Sequence, residues 1–169
     1  TMDPGTSVTV AGLSVRTLDR PTLEFTARTD VGDVRLCDTR QTLLIPGRPP
    51  SAILVPQVVP FDEPGELKHR LEGWAQPQSR DGFTRYVLSS SRPVKQHVAD
   101  LPTEAALPDG TAVRLPISFG GRMALLGYEW PGDPADDGRA GTLLVYWRVE
   151  SPPDRPIKAF VHLVDGEGR

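Results

Sequence analysis

Side-chain catalysis needs titratable or nucleophilic groups that converge, and a metal site needs ligands in local pairs. The three histidines, His69, His97 and His162, fall in three separate segments, with no H-x-H or H-x₃-H pairing among them. A tetrahedral zinc site therefore has no local nucleus. His162 stands inside an apolar run, where a half-buried imidazole bonded to a neighbour is the ordinary reading and a ligand contact the sharper one. Cys37 is the single cysteine, so no internal disulfide exists. Flanked by Leu36 and Asp38 in an extended run, it reads as a buried structural thiol. Asp38 follows the end of that run. Layered α/β folds place functional groups at strand ends, while Asp-Thr-Arg also suits a plain turn. No G-x-S-x-G occurs, and the serines at 89–91 lack a nucleophile-elbow context.

The loop DPADDG, from Asp133 to Gly138, imitates the start of a calcium loop. An EF-hand needs oxygen ligands at positions 1, 3 and 5 and a Glu at 12. Here position 3 is Ala135 and position 12 is Leu144, so the EF-hand reading fails. A looser calcium site from Asp133, Asp136 and Asp137 competes with a solvated acidic turn, and the turn is favoured. Tyr128, Trp130, Tyr146 and Trp147 cluster in one part of the chain. Flat aromatic faces there could stack on sugar rings, or they could pack a core. Trp147 shares a strand face with apolar residues and suits the core. Trp130, beside Pro131 in a loop, is the candidate for ligand contact, with Tyr128, Tyr146, His162 and Asp38 as further candidates. No cofactor and no metal centre is expected.

These residues must be positioned by a chain of 169 residues, of which 38% are hydrophobic. The net charge is −3 with both signs interspersed, which leaves no basic footprint for nucleic acid and no polybasic patch for a membrane surface. Eighteen prolines and sixteen glycines argue against a helical bundle and for short strands joined by turns. No apolar run reaches the length of a membrane span, and TMDPGTSVTV has neither the basic start nor the apolar stretch of a signal peptide. The leading Thr suggests a start inside a longer protein. The ending FVHLVDGEGR stops where a hairpin partner would come next.

The runs 6–10, 34–38, 42–45 and 51–55 read as strands, the last covered on both faces because it is almost continuously apolar. Residues 21–29 suit either a short helix or an extended segment. The period changes at 62–74, where Asp62 can cap and Leu67, Leu71 and Trp74 form one helical face. FTRYVL, from Phe83 to Leu88, is again a strand. Residues 91–116, rich in proline and polar side chains, read as a linker with one strand at most. Beyond them Met123–Tyr128, Thr142–Val149 and Ile157–Val164 read as strands. The expected class is therefore α+β: a small α/β layered piece over 1–90, a linker over 91–116, and the start of an antiparallel β-sandwich over 117–169.

Phe119, Gly120, Leu125, Gly127 and Tyr128 fit a phrase F-G-x-x-x-x-L-x-G-Y. Leu144, Tyr146 and Trp147 fit a second, P-G-x-x-L-x-V-x-L-Y-W. Asp154, Phe160, Val161, His162, Leu163, Asp165, Gly168 and Arg169 fit a third, D-x-x-Y-x-V-F-V-H-L-x-D-x-x-G-R. VRLCDTRQTLLIP stands where V-R-W-F-D-x-R-x-x-L-V-L-P is usual. In these phrases the chain resembles the carboxy-terminal soluble region of bacterial membrane glycosyltransferases of the dolichyl-phosphate-mannose-protein-mannosyltransferase-like type. The resemblance implies an accessory region on the extracytoplasmic face of the membrane, in an enzyme using a polyprenyl-phosphate sugar donor. Its partners would be the membrane-helical part of the same polypeptide and a glycan or acceptor protein, with no nucleic acid. The family's catalytic acids lie between early membrane helices, so none is carried over to this chain. The sandwich normally continues past the Gly-Arg. The alternatives are a stand-alone carbohydrate-binding or interaction module, and a soluble α/β enzyme with its site near Asp38.

Overall fold

The computed structural model describes residues 6–12, 34–63, 65–106, 109–131 and 142–151. The chain forms two compact units, Thr1–Lys95 and Gln96–Arg169. In the first, a five-stranded sheet has the order β2-β1-β3-β5-β4. Its strands are β1 (Ser7–Ala11), β2 (Val34–Cys37), β3 (Ser51–Pro56), β4 (Gln76–Arg80) and β5 (Phe83–Leu88). β1 runs parallel to β2 and to β3, and β5 runs antiparallel to β3 and to β4. The continuous apolar run becomes the central strand: Ile53 and Ala52, on opposite faces of β3, are both fully buried. Helix α1 (Glu66–Trp74) covers one face through Leu71, which is also fully buried and meets Ile53, Val55, Tyr86 and Leu88 in one core. The Asp62 carboxylate accepts the Leu67 amide at 3.1 Å, satisfying one of the donors that a helix start leaves open.

One expectation of the first unit needs correction, and one strand was not read in the sequence. Residues 42–45 form no strand. Leu43, Leu44 and Ile45 pack their side chains against the core as an apolar loop, which buries them without pairing in the sheet. β4 has no apolar signal, since every residue of QPQSR is exposed. It exists because Asp81 and Gly82, with φ of 49° and 82°, make the tight left-handed turn that returns the chain alongside β5.

Residues 91–116 also differ from a linker. They hold helix α2 (Arg92–Ala99) and a hairpin of β6 (Glu104–Ala106) and β7 (Ala112–Arg114). These elements are short and mostly exposed. Local bonds hold them, such as the Arg92 amide on the Ser90 hydroxyl and the Leu115 amide on the Thr103 carbonyl. In α2 the apolar pattern is confined to Val94 and Val98, too short to stand out among the proline and polar residues around it. The division between the two units falls within α2.

The second unit also contains β8 (Ile117–Phe119), β9 (Met123–Glu129) and β10 (Leu144–Val149), an antiparallel sheet of order β10-β9-β8. A bulge between Tyr146 and Trp147 leaves Leu126 without an opposite residue. Gly127 is buried because Leu101 presses onto it. A Cβ built there would lie 2.8 Å from the Leu101 Cδ1. The class is thus α+β, with a layered mixed sheet followed by open antiparallel sheets. Among the described residues no helix is long and apolar enough to cross a membrane. The segments 21–29 and 157–164 lie outside the described residues.

The Leu101–Gly127 contact predicts strong coupling. Gly127→Ala should cost about 1–3 kcal/mol through overpacking, and Leu101→Ala about 2–5 kcal/mol through the cavity it leaves. The double variant should cost clearly less than the sum, because the smaller side chain makes room for the new methyl. Urea unfolding of the four proteins measures this, and strict additivity would refute the contact.

Candidate functional site

The strongest convergence of polar chemistry lies in the second unit. Leu144 pairs with Glu129 and Tyr146 with Gly127, so Glu129 and Tyr146 share a sheet face across two rungs. The Tyr146 hydroxyl donates a short hydrogen bond to Glu129 Oε1. His97, in the last turn of α2, brings Nε2 to 3.0 Å from the same hydroxyl and to 3.3 Å from Glu129 Oε1. Its ring is tilted by 56° against the Tyr146 ring at a centroid distance of 5.2 Å. Since the phenol donates to the carboxylate, it accepts from His97, which places a proton on Nε2. The His97 and Glu129 side chains keep 21% and 20% of their surface in contact with solvent. These bonds fix all three side chains relative to one another. No group of three His, Cys, Asp or Glu side chains among the described residues is arranged to hold a metal ion.

Of the residues singled out in the sequence, Tyr146 is at this cluster. Tyr128 pairs with Val145 and so faces the other side of the sheet. Trp130 comes directly after β9, and its Nε1 is buried without a hydrogen-bond partner among the described residues, so the polar edge of the indole is turned inward. Trp147 is half-buried rather than core. On its face the Phe119 ring meets it at 5.6 Å and 57°, with Phe119 50% and Val149 53% exposed. The buried position of β10 is Leu144, on the opposite face. His162, Asp133, Asp136 and Asp137 lie outside the described residues. The sequence reading missed His97 and Glu129. Their signals were present: Val94, His97 and Val98 have helical spacing, and Glu129 alternates with Gly127 on the strand.

Asp38 directly follows β2 and leads into a turn. Its carboxylate accepts the Arg40 guanidinium at 2.7 and 3.0 Å and the Arg40 amide at 3.1 Å, and its carbonyl accepts the amides of Gln41 and Thr42. The hydrogen bonds from Arg40 hold its carboxyl below the usual carboxylate range. This carboxylate is already satisfied and stays ionised, which disfavours an acid–base role near neutral pH. The adjacent Thr39 is fully buried and donates to the Pro60 carbonyl at 2.9 Å, tying the β2 turn to the segment before α1. Cys37 is buried, as a structural thiol should be.

These environments set the response to mutation and to alkali. Tyr146→Phe removes the hydroxyl between His97 and Glu129 and should lower stability by about 1–3 kcal/mol, measured by urea unfolding; an unchanged midpoint would contradict the arrangement. Burial pushes the Cys37 thiol above its ordinary 9.0, against the opposing Leu44 amide. Burial and then the Glu72 charge push the Tyr86 hydroxyl above its ordinary 10.0. Both groups stay protonated in the folded state while the unfolded chain ionises. Their contribution is therefore complete below pH 9.0 and lost as the pH rises through the folded values. Unfolding measured across this alkaline range should show the decline, and Cys37→Ala should remove its first part.

Neither a protein-family model, nor a curated protein, nor a solved structure matches this chain.

Proposed function

We propose that this chain is a non-catalytic extracytoplasmic accessory region of a polytopic membrane glycosyltransferase that uses a polyprenyl-phosphate sugar donor. In it the second unit serves as scaffold and as a contact for glycan or acceptor. The observation that carries the reading is the pairing of the phrases on which the resemblance rests. Phe119 to Tyr128 span β8 and β9, and Leu144, Tyr146 and Trp147 lie on β10 in register with them. The pairing brings Phe119 and Trp147 into ring contact at a partly exposed face. Two tilted aromatic rings with solvent access offer the apolar C–H faces of a sugar a place to stack. This aromatic pair joins Trp130, which is also half-buried, as a candidate contact.

The test has two parts. The gene encoding this chain should specify several apolar membrane helices upstream of Thr1, and the whole protein should transfer sugar from a polyprenyl-phosphate donor. The isolated chain should not. An uninterrupted reading frame without such helices, or turnover by the isolated chain, would overturn the accessory reading. In the whole enzyme, Phe119→Ala and Trp147→Ala should each raise the acceptor KM several-fold with little change in kcat, as expected for lost ground-state binding. Unchanged KM in both variants would leave the scaffold role and remove the contact.

A further inference from the structure

We infer that the face of the five-stranded sheet turned away from α1 recognises an acidic sugar, with Arg85 taking the uronate carboxylate and Phe83 the ring. Tyr86 and Leu88 of β5 point into the core with Leu71, so Phe83, Arg85 and Val87 stand on the other face of the sheet. The register places Gln78 of β4 opposite Arg85 and Arg80 opposite Phe83. All of these residues belong to Thr1–Lys95, which makes this a site of the first unit alone.

Charge on this sheet is one-sided. The five strands hold Arg35, Arg80 and Arg85 and not one Asp or Glu. Arg35 donates to the Ser7 hydroxyl at 2.8 Å, and Arg80 pairs with Asp81 of the turn at 3.0 Å. Arg85 is half-buried and has no such partner: its Nε is buried and unbonded, and no described residue forms an ion pair with its guanidinium. A donor taken from water and left unbonded costs stability, and an anion from outside relieves that cost. The planar fork of an arginine suits a carboxylate, which accepts two parallel N–H bonds. Phe83 stands two residues along the strand, about 7 Å away. It is 44% exposed and offers the C–H face of a pyranose a place to stack. Gln78 is exposed opposite Arg85, with a side-chain amide that both donates to and accepts from hydroxyls. Other anions fit this face less well. Single-stranded nucleic acid is held by a row of cations, and here Arg80 is already engaged by Asp81. An acidic peptide would add itself as a strand along the edge of β4, where Pro77 presents no amide donor.

The experiment is an amide-resolved NMR titration of the chain with trigalacturonate, maltotriose, hexaglutamate and oligo(dT) in turn, at matched ionic strength. Trigalacturonate should give saturable shifts at Gln78, Phe83 and Arg85, with a Kd on the order of 1–10 mM, as ligand efficiency allows for about a dozen heavy atoms in contact. Maltotriose, which lacks the carboxylates, should bind about 5-fold more weakly or worse. Arg85→Gln should erase that preference, and Phe83→Ala should weaken both sugars together. Arg85→Met separates a binding role from a structural one. It removes an unbonded buried donor, so the urea midpoint should stay or rise while trigalacturonate binding is lost. No saturable shift at these amides with trigalacturonate, up to roughly 100 mM, ten times the weakest expected Kd, would overturn the inference. So would maltotriose binding as tightly, an Arg85→Met variant that unfolds earlier than the wild type, or tighter binding of hexaglutamate or oligo(dT). Trigalacturonate shifts confined to Phe119 and Trp147 would overturn this face while leaving the second unit's contact standing.

Discussion

The first unit depends on β3 being paired on both edges and covered on both faces. It is the strand at which a parallel pair with β1 meets an antiparallel pair with β5. A parallel neighbour demands a crossover connection, while an antiparallel neighbour can be reached by a short return. Only a strand with apolar side chains in both directions can occupy that position, and Ala52, Ile53 and Val55 meet the requirement. Burying a residue such as Ile53 is worth about 1.5–3 kcal/mol relative to leaving it exposed. The unit's core forms around this strand, with Leu71 of α1 opposite it.

The segments around β3 divide the labour of holding it. Thr39 fastens the end of β2 to the segment leading into α1, and Asp62 fixes where α1 starts. The apolar loop Leu43–Ile45 closes the core where a helix would do so in a regular crossover. Asp38 is used up in holding its own turn.

The second unit is organised by a different contact. Gly127 presents no side chain, and Leu101 takes the vacated space. The same sheet face carries Tyr146 and Glu129, which His97 joins. The opposite face keeps Phe119, Trp147 and Val149 partly in solvent. The bulge at Tyr146 and Trp147 lets both faces keep their pattern although the strands differ by one residue. One face is thus a fixed polar and apolar seam, and the other an aromatic surface.

By itself, the sequence determined the features that arise within a few residues. The continuous apolar run at 51–55, the helical period at 62–74 and the strand runs at 83–88, 123–128 and 142–149 all carry their own period or boundary signal, and α1, β5, β9 and β10 form within them or within a residue of them. The α+β class rests on them. Tertiary structure decided everything that depends on partners distant in sequence. Whether Leu43–Ile45 became strand or loop turned on packing: their side chains lie against the core while their backbone joins no strand of the sheet. Whether the polar segment at 76–80 became a strand turned on β5 offering an edge beside a tight turn. The cluster of His97, Glu129 and Tyr146 was illegible because 49 residues separate His97 from Tyr146, and no local pattern encodes which side chains a fold will bring within hydrogen-bonding distance. The same reason leaves Trp147 half-buried where its strand pattern suited the core: alternation assigns a residue to a face, but only packing decides whether that face is covered.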